Sequence, residues 1–298
     1  MAADDELTFL RWLARSDRPH DRLVVPIGDD GAVWRLDGED RLVLAADALC
    51  EGSHFTADTA PHLVGRKALA VNLSDLAAMG ARPQCALATA ALPRGFDGER
   101  ARAVTEGMRD LAAVWDCPLV GGDTVTHDGG LVLSVSVVGT LMTGEPITRT
   151  GSSVARPGDL IAVTGRLGGS GGGRHLTFTP RLRESARLVE LGPPDAMIDV
   201  SDGLLLDLYR LDTAARFGFR LDLDAIPVHD DADLDGALSD GEDFELLFTA
   251  PADVMTRILD GWDLETSVTV IGEIATGGGV LVRDGREEPA PPLGFRHE

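Results

Sequence analysis

Residues 67–81 read Lys67-Ala68-Leu69-Ala70-Val71-Asn72-Leu73-Ser74-Asp75-Leu76-Ala77-Ala78-Met79-Gly80-Ala81. The stretch predicts the second half of a helix that begins at Pro61 and ends before Gly80, because proline favours the first turn of a helix and glycine its end. Asn72, Asp75 and Met79 share one face of this helix, which is otherwise rich in Ala, Val and Leu. A carboxylate near an apolar helix face is costly unless it is paired or binds a metal. We therefore favour a ligand role for Asp75 over a purely structural one.

Further acidic motifs precede and follow this helix, and each sets a carboxylate beside Gly, Ser or Thr. They are Gly28-Asp29-Asp30-Gly31, Asp47 with Glu51-Gly52-Ser53-His54-Phe55, Gly121-Gly122-Asp123-Thr124, Asp199-Val200-Ser201-Asp202-Gly203 and Gly241-Glu242-Asp243. Carboxylates without basic partners repel one another, so a fold that gathers them needs a cation. Mg²⁺ takes oxygen ligands and usually brings substrate phosphates with it. The motifs therefore predict a magnesium-dependent enzyme that acts on phosphates.

Several of these motifs also have a structural interpretation when each is taken alone. Asp29-Asp30 before glycine is typical of a hairpin turn. Asp47, at the end of a predicted strand, leaves a structural and a functional role equally open. Ser201 or Asp202 can cap the helix that follows, and a helix N-terminus is also an anion site. Capping does not account for Asp199, so we favour a functional role for that motif.

The glycine-rich stretches and His54 are less informative. Gly121-Gly122-Asp123 follows a predicted strand, and its glycines admit a ligand beside the backbone, but a structural role is equally open. His54 alone is better explained as a structural histidine. The glycine run 168–173 lacks the ending of a Walker A loop and an acidic residue at the Rossmann distance, so we interpret it as a flexible loop.

Length and composition bound the class of protein. The chain has 298 residues, 44% of them hydrophobic, enough for one large domain or two of ordinary size. No apolar run reaches about 18 residues, and the acidic N-terminus lacks the basic start of a signal peptide. A soluble, cytoplasmic protein is expected. Cys50, Cys85 and Cys117 are odd in number and form no Cys-x-x-Cys pair, which argues against disulfides and zinc.

The charge is strongly one-sided. A net charge of −22 argues against nucleic-acid binding, because a polyanion would be repelled. Lys67 is the single lysine of the chain. Acidic excess with almost no lysine favours a halophilic protein, since about 1 M salt reduces the screening length to about 3 Å. A GC-rich genome that prefers arginine codons is the alternative.

Periodicity and turn signals predict alternating helices and strands in both halves of the chain. Helices are expected at 5–14, 61–79, 97–115, 180–191 and 203–217, and strands at 41–46, 84–92, 119–120, 131–141, 160–164, 196–200, 219–223, 244–249 and 268–274. A turn-rich stretch at 142–159 marks the boundary between domains 1–145 and 146–298, and the acidic stretch 230–235 is expected to be a solvated loop. The fold class is therefore α+β (mixed α/β) with two domains.

The motifs in this order resemble the thiamine-monophosphate kinase family, within the ATP-binding superfamily of aminoimidazole ribonucleotide synthetase and selenophosphate synthetase. The resemblance runs from about residue 5 to the end. It depends on the stretch 67–81 and on Gly241-Glu242-Asp243-Phe244-Glu245-Leu246 above all, and on Ile27–Asp30, 47–55, Gly121–Thr124, Thr148-Arg149-Thr150-Gly151 and 198–203. It implies a homodimer whose N-terminal sheets form a shared β-barrel, a C-terminal α/β sandwich domain, and active sites at the dimer interface.

The resemblance also implies the reaction, which is ATP-dependent phosphorylation of thiamine monophosphate to thiamine diphosphate with several Mg²⁺ ions. The implied metal ligands are Asp30, Asp47, Asp75, Asp123, Asp199 and Asp202, with the backbone of Ala46. The implied ATP contacts are Gly122, Asp123, Arg149 and Ser201, and the implied substrate contacts are His54, Glu242 and an aromatic residue near the end, for which we select Phe295. No residue is expected to act as a general base, because the acceptor phosphate is already anionic at pH 7.

The chain departs from the family pattern in three places. Ala45-Ala46 stands where the family usually has a threonine before the aspartate, which leaves only backbone carbonyls to assist a metal. Val125-Thr126-His127 follows Asp123-Thr124 where an arginine is common. The segment 168–180 is short and is expected to lack a helix. Two alternatives remain, another ATP-dependent synthetase of the superfamily and a non-catalytic nucleotide or thiamine-phosphate binding protein.

Overall fold

A computed structural model describes residues 9, 12, 13, 20–38, 40–149, 156–215 and 218–295, without the side chains of 212–215. The helix predicted at 5–14 falls outside the described residues apart from positions 9, 12 and 13. No helix in the described part of the chain has both the length and the hydropathy needed to span a bilayer.

The first half of the chain builds an open six-stranded sheet. Its strands are β1 (Leu23–Val25), β2 (Ala32–Arg35), β3 (Arg41–Cys50), β4 (Ala81–Pro93), β5 (Leu119–His127) and β6 (Val132–Leu141). The order across the sheet is β1-β2-β3-β6-β4-β5. Every neighbouring pair is antiparallel except β4 and β5, which run parallel. The strand predicted at 119–120 continues to His127, so the Gly121-Gly122-Asp123 motif lies inside a strand rather than after one.

The second half builds a seven-stranded sheet. Its strands are β7 (Leu160–Thr164), β8 (Ala196–Asp199), β9 (Gly218–Asp222), β10 (Leu246–Ala250), β11 (Val268–Ala275), β12 (Val280–Arg283) and β13 (Arg286–Pro289). The order is β13-β12-β9-β11-β7-β10-β8, and only β12 and β9 are parallel. Sheets in both halves, together with their helices, confirm the predicted α+β class.

Seven helices are described. They are α1 (Pro61–Ala78), α2 (Gly98–Val114), α3 (Arg174–Thr177), α4 (Leu182–Leu191), α5 (Leu204–Ala215), α6 (Leu234–Ser239) and α7 (Ala252–Gly261), with 3₁₀ turns at Ser170–Gly172 and Leu223–Ala225. The acidic loop expected at 230–235 is shorter, because α6 begins at Leu234. Asp233 caps α6, since its side chain accepts a hydrogen bond from the Gly236 N–H.

Helix α1 is buried along almost its whole length, and glycine allows its close contact with α2. A Cβ on Gly65 would lie 1.8 Å from the Val104 carbonyl oxygen, and one on Gly107 would lie 1.9 Å from that of His62. Leu69, which is fully buried, packs in a core that includes side chains from both halves of the chain. This packing holds α1 in place beneath the acidic motifs.

Candidate functional site

Three of the predicted carboxylates meet at one point. Asp30 lies between β1 and β2, Asp75 lies on α1, and Asp199 ends β8. One carboxylate oxygen from each lies within 4.8 Å of the other two. Asp30 lies in a loop, Asp75 within a helix and Asp199 at a strand end, and the two halves of the chain bring the three together. We call these three residues the carboxylate cradle.

The cradle is an electrostatically costly arrangement without a cation. Burial raises the pKa of all three carboxyls, and the charges of neighbouring aspartates raise it further. The pKa of Asp199 reaches about 6 despite a 2.5 Å hydrogen bond from Ser74 Oγ. The guanidinium of Arg149 opposes these shifts, and its Nη1 lies 3.3 Å from Asp30 Oδ1. The predicted ATP contact Arg149 therefore lies beside the cradle.

The donor set of the cradle suits a hard divalent cation. Asp30 Oδ2 is buried and has no hydrogen-bond partner among the described residues. A buried acceptor of this kind is costly unless something positive binds it. Mg²⁺ prefers carboxylate oxygens and binds through a few of them together with phosphates. The residues present therefore fit the metal that the motifs predict.

Asp47 lies next to the cradle, in the second half of β3. It is accessible to solvent in the single chain, yet protein surrounds its carboxylate closely enough that desolvation, followed by the charge of Asp202, raises its pKa. The charge of Asp47 in turn raises the pKa of Asp75 and Asp199. Asn72, on the same helix as Asp75, accepts a hydrogen bond from the Asp47 N–H at 2.9 Å. Asn72 thus positions the strand that carries Asp47.

Asp202 follows the cradle residue Asp199, and two residues missed in the sequence hold its loop in place. Asp207 is fully buried, and its Oδ2 accepts hydrogen bonds from the N–H groups of Ser201 and Asp202 at 3.0 and 2.9 Å. Burial raises the pKa of Asp207 to about 7, although Arg210 lowers it. Arg210 also pairs with Asp202. The spacing of Asp207 and Arg210 by three residues in the first turns of a helix was the available signal.

Asp123 and Gly122 lie apart from the cradle within one chain. The sheet register runs from Asp47 to Val135 on β6, to Ala88 on β4 and to Gly122 on β5. Three strand spacings correspond to about 14 Å. Asp123 is exposed on the edge strand, where its Oδ1 accepts from the Thr124 N–H at 2.8 Å. Its predicted role as a ligand stays a prediction.

Gly122 and Ala46 are two further predicted site residues, and both were selected for their backbone groups. Gly122 has a φ of +154°, and a Cβ there would lie 1.8 Å from the Ala88 carbonyl oxygen, so packing against β4 alone requires glycine. Ala46 is paired with Ser136 on the exposed face of β3, directly before Asp47. Its assistance to a metal through the backbone also stays a prediction.

A cavity of about 320 Å³ opens beside the cradle. Asp47 and Asp202 contribute carboxylates to its wall, Ser201 is part of the lining, and all three predicted substrate residues line it as well. Its lining includes His54, Glu242, Phe295, Ser53, Val71, Asp240 and Phe244. Phe295 is held there by its backbone, whose N–H donates to the Asp202 carbonyl at 2.7 Å. One cavity therefore joins the predicted metal ligands to the predicted substrate contacts.

His54 is both structural and part of the cavity wall. Its Nδ1 accepts a hydrogen bond from the Cys50 N–H at 3.0 Å, which fixes the ring at the end of β3. His54 therefore has a structural role, and this role is compatible with its predicted contact with the substrate.

The expectation that the segment 168–180 lacks a helix was wrong. Residues 168–180 contain a 3₁₀ turn and the short helix α3. The run is tied down because the Gly168 N–H donates to both carboxylate oxygens of Asp243 at 3.0 Å and Ser170 Oγ donates to the Glu242 carbonyl at 2.7 Å. A carboxylate and a backbone carbonyl far away in sequence supply this order, and local composition carries no sign of them.

Comparison with known proteins gives a consistent result. Residues 28–141 match the family model "AIR synthase related protein, N-terminal domain", and residues 156–284 match "AIR synthase related protein, C-terminal domain". The chain is 38% identical to thiamine-monophosphate kinase of Rhodopirellula baltica, over 98% of this chain and 97% of that protein.

Solved structures agree with the sequence relatives. The structure of AaThiL complexed with AMPPCP and TMP has a TM-score of 0.82 and 27% identity, covering 98% of this chain and 96% of that chain. Thiamine monophosphate kinase from Aquifex aeolicus has a TM-score of 0.78 and 26% identity, covering 95% and 98%. With its two halves matched and its acidic motifs in place, this chain belongs to the thiamine-monophosphate kinase family.

Proposed function

We propose that the chain transfers the γ-phosphoryl group of ATP to thiamine monophosphate and so makes thiamine diphosphate. The observation that carries this proposal is the cavity beside the carboxylate cradle. Asp47 and Asp202 line the cavity, and their charges raise the pKa of the cradle residue Asp199, so a phosphate held by metal at the cradle would face a substrate in the cavity. Relatives that bear the name of this kinase support the assignment.

The mechanism we propose is direct, in-line transfer without a general base. The acceptor is a phosphate monoester with a second pKa of about 6, so its oxygen is already anionic at pH 7. The barrier comes from bringing two polyanions together in line. Bound Mg²⁺ would supply the positive charge that allows this approach. Asp30, Asp75 and Asp199 would hold the metal at the cradle. Asp47 and Asp202 would contribute from the wall of the cavity.

The remaining polar groups bind and orient. Arg149 lies beside Asp30 and Ser201 borders the cavity, and we assign both to contacts with ATP. His54, Glu242 and Phe295 form the wall against the organic half of the substrate. Since no side chain takes up the phosphoryl group, ATP alone should leave the protein unmodified. A stable phosphorylated protein trapped after ATP addition would contradict this mechanism.

We further propose that two copies pair through their N-terminal sheets into a shared barrel. The register puts Leu44, Leu87 and Val125 on the sheet face that points away from α1, where they are 39%, 46% and 47% exposed. Pairing would cover these apolar side chains. Val125→Asp should give a monomer by light scattering. Val114→Asp, on α2 at the other side of the sheet, should leave the mass unchanged.

Domain boundaries at 145/146, a cytoplasmic location and a requirement for salt complete the proposal. A net charge of −22 produces self-repulsion that about 1 M salt screens. ATP as the phosphoryl donor fits the cytoplasm.

The decisive experiment is an assay with ATP, Mg²⁺ and thiamine monophosphate in about 2–3 M KCl, a range that screens this charge, with thiamine diphosphate measured by chromatography. Product that disappears with EDTA and in Asp75→Asn is the expected result. A folded dimer that binds ATP but forms no product would refute the kinase proposal and favour a binding role.

A further inference from the structure

Lys67, the single lysine of the chain, is wholly buried beside the cavity. Its Nζ donates to the His54 carbonyl at 2.8 Å and to Glu242 Oε1 at 2.5 Å, and it lies 2.8 Å from His175 Nδ1. The carbonyl and the carboxylate take two of the three N–H donors of the ammonium group, and His175 Nδ1–H is left to donate to Glu242. Lys67 does not line the cavity, whereas its partners Glu242 and His54 do. Lys67 can therefore act on a ligand only through these two residues.

Glu242 is held from two sides. Its Oε1 receives the Lys67 ammonium group, and its Oε2 lies 3.0 Å from His175 Nδ1. Burial raises the pKa of Glu242, but the hydrogen bond from His175 and the charge of Lys67 outweigh it and lower the pKa overall. The carboxylate therefore stays ionised at the cavity wall.

The backbone of Glu242 is fixed as tightly as its side chain. Its φ of +55° is unusual for a residue with a Cβ and persists only where neighbours enforce it. The Glu242 N–H donates to the Ser201 carbonyl at 2.8 Å, and Ser170 Oγ donates to the Glu242 carbonyl at 2.7 Å. Side chain and backbone together leave the carboxylate one position.

His175 is held in place by helix α1. Arg66, the residue before Lys67, donates to the carbonyl oxygens of Leu176 and Phe178 at 3.2 and 2.5 Å. The ring of Phe178 stacks on that of Phe244, with 4.1 Å between centroids. His175 is therefore anchored to the first half of the chain while its ring contacts Glu242 from the second.

We propose that Lys67 and His175 are positioning residues that orient the Glu242 carboxylate to accept a hydrogen bond from the ring amino group of the substrate. This inference rests on the proposed function and names the part of the substrate that Glu242 recognises. Thiamine monophosphate carries an amino group on its pyrimidine ring, and a fixed carboxylate discriminates against an analogue that presents an acceptor there. His175 acts through Glu242 and does not touch the reacting atoms.

The test compares thiamine monophosphate with the analogue in which a carbonyl oxygen replaces the ring amino group. The wild type should prefer the amino substrate in kcat/KM, and His175→Ala should lose about tenfold of that preference, the size of one charge-assisted hydrogen bond. The loss should lie in KM for the amino substrate, with KM for ATP unchanged. His175→Asn should keep the preference, since an amide offers a donor and an acceptor close to the position of Nδ1.

Thr177→Ala is the matched control, because Thr177 is an exposed residue of the same short helix whose hydroxyl reaches only the Arg174 carbonyl at 3.5 Å. It should leave the preference unchanged. Equal preference in wild type and His175→Ala, or equal losses in His175→Ala and His175→Asn, would overturn the inference. If His175→Ala does not fold, His175→Leu carries the same test with the ring volume partly filled.

Calorimetry separates failure of this inference from failure of the kinase proposal. If the wild type forms no thiamine diphosphate, the kinase proposal fails. The affinities for thiamine monophosphate and for its carbonyl analogue still test the inference. Tighter binding of the amino compound that weakens about tenfold in His175→Ala but not in His175→Asn supports it. Affinities that do not distinguish the variants overturn it.

Discussion

Neutralising Asp199 should stabilise the metal-free protein while it destroys the proposed function. Burial raises the pKa of Asp199 from 3.8 to about 6. The hydrogen bond from Ser74 opposes this shift, and the charge of Asp47 adds to it. A raised pKa in a carboxyl means that the folded state holds the proton more tightly than the unfolded state. The resulting stability is present below about pH 4 and is lost as the pH rises through about 6.

The magnitude follows from the shift. About two pKa units at about 1.4 kcal/mol each correspond to about 3 kcal/mol of lost stability at pH 7. Asp199→Asn removes the charge and can still accept the hydrogen bond from Ser74 Oγ. For a chain of this length, about 3 kcal/mol corresponds to an increase in Tm of about 5 °C.

The assay is thermal unfolding in EDTA at pH 7 and at pH 4, with Asp260→Asn on the exposed side of α7 as the control. We expect a higher Tm for Asp199→Asn at pH 7, no difference at pH 4, and no effect of Asp260→Asn. With Mg²⁺ and ATP the order should reverse, because only the wild type binds metal, and activity of the variant should fall by at least about a hundredfold. A lower Tm for Asp199→Asn at pH 7 in EDTA would refute the charge-repulsion argument.

Three further outcomes are expected. Gly65→Ala should destabilise the fold by about 1–3 kcal/mol or more in urea unfolding, because the new Cβ meets the Val104 carbonyl oxygen, whereas Gly98→Ala has open space and should be nearly neutral; equal effects would contradict the close helix contact. Burial raises the pKa of Cys117 to about 12. In native protein at pH 8, a thiol reagent should therefore label the two partly exposed cysteines and leave Cys117 unmodified. Rapid modification of Cys117, found by mass spectrometry, would count against this expectation. Ala46→Thr should lower the Mg²⁺ concentration for half-maximal activity by several fold, since a hydroxyl would add a metal or water contact; an unchanged Mg²⁺ dependence would show that the backbone suffices.

The sequence predicted the long elements and most of the acidic site because both depend on local signals. Proline and glycine bounded α1, and apolar runs lead into Asp47 and Asp199. The strand expected at 41–46 continues past Asp47 to Cys50, whereas β8 does end at Asp199. The family resemblance then implied that Asp30, Asp75 and Asp199 belong to one set of metal ligands, and the structure brings them within 4.8 Å of one another.

What the sequence did not reveal depends on contacts between distant residues. Strands β12 and β13 are short and partly charged, so their pairing is decided by the sheet they join. The glycine run is ordered by Asp243, which lies 75 residues beyond Gly168. Asp207 and Arg210 carry no motif of their own, and only the buried carboxylate and its hydrogen bonds show that they support the loop of Asp202.

Helix α1 also has a consequence for how this chain melts and how it can be divided. Its buried residues Leu69 and Leu73 belong to one apolar cluster with Leu188, Met197 and Phe248 from the second half of the chain. Neither half can lose its partner without exposing this cluster to water, so unfolding of either half removes support from the other. The molecule should therefore denature in a single cooperative transition, and an isolated fragment 1–145 should not be stable, although the chain contains two separate sheets.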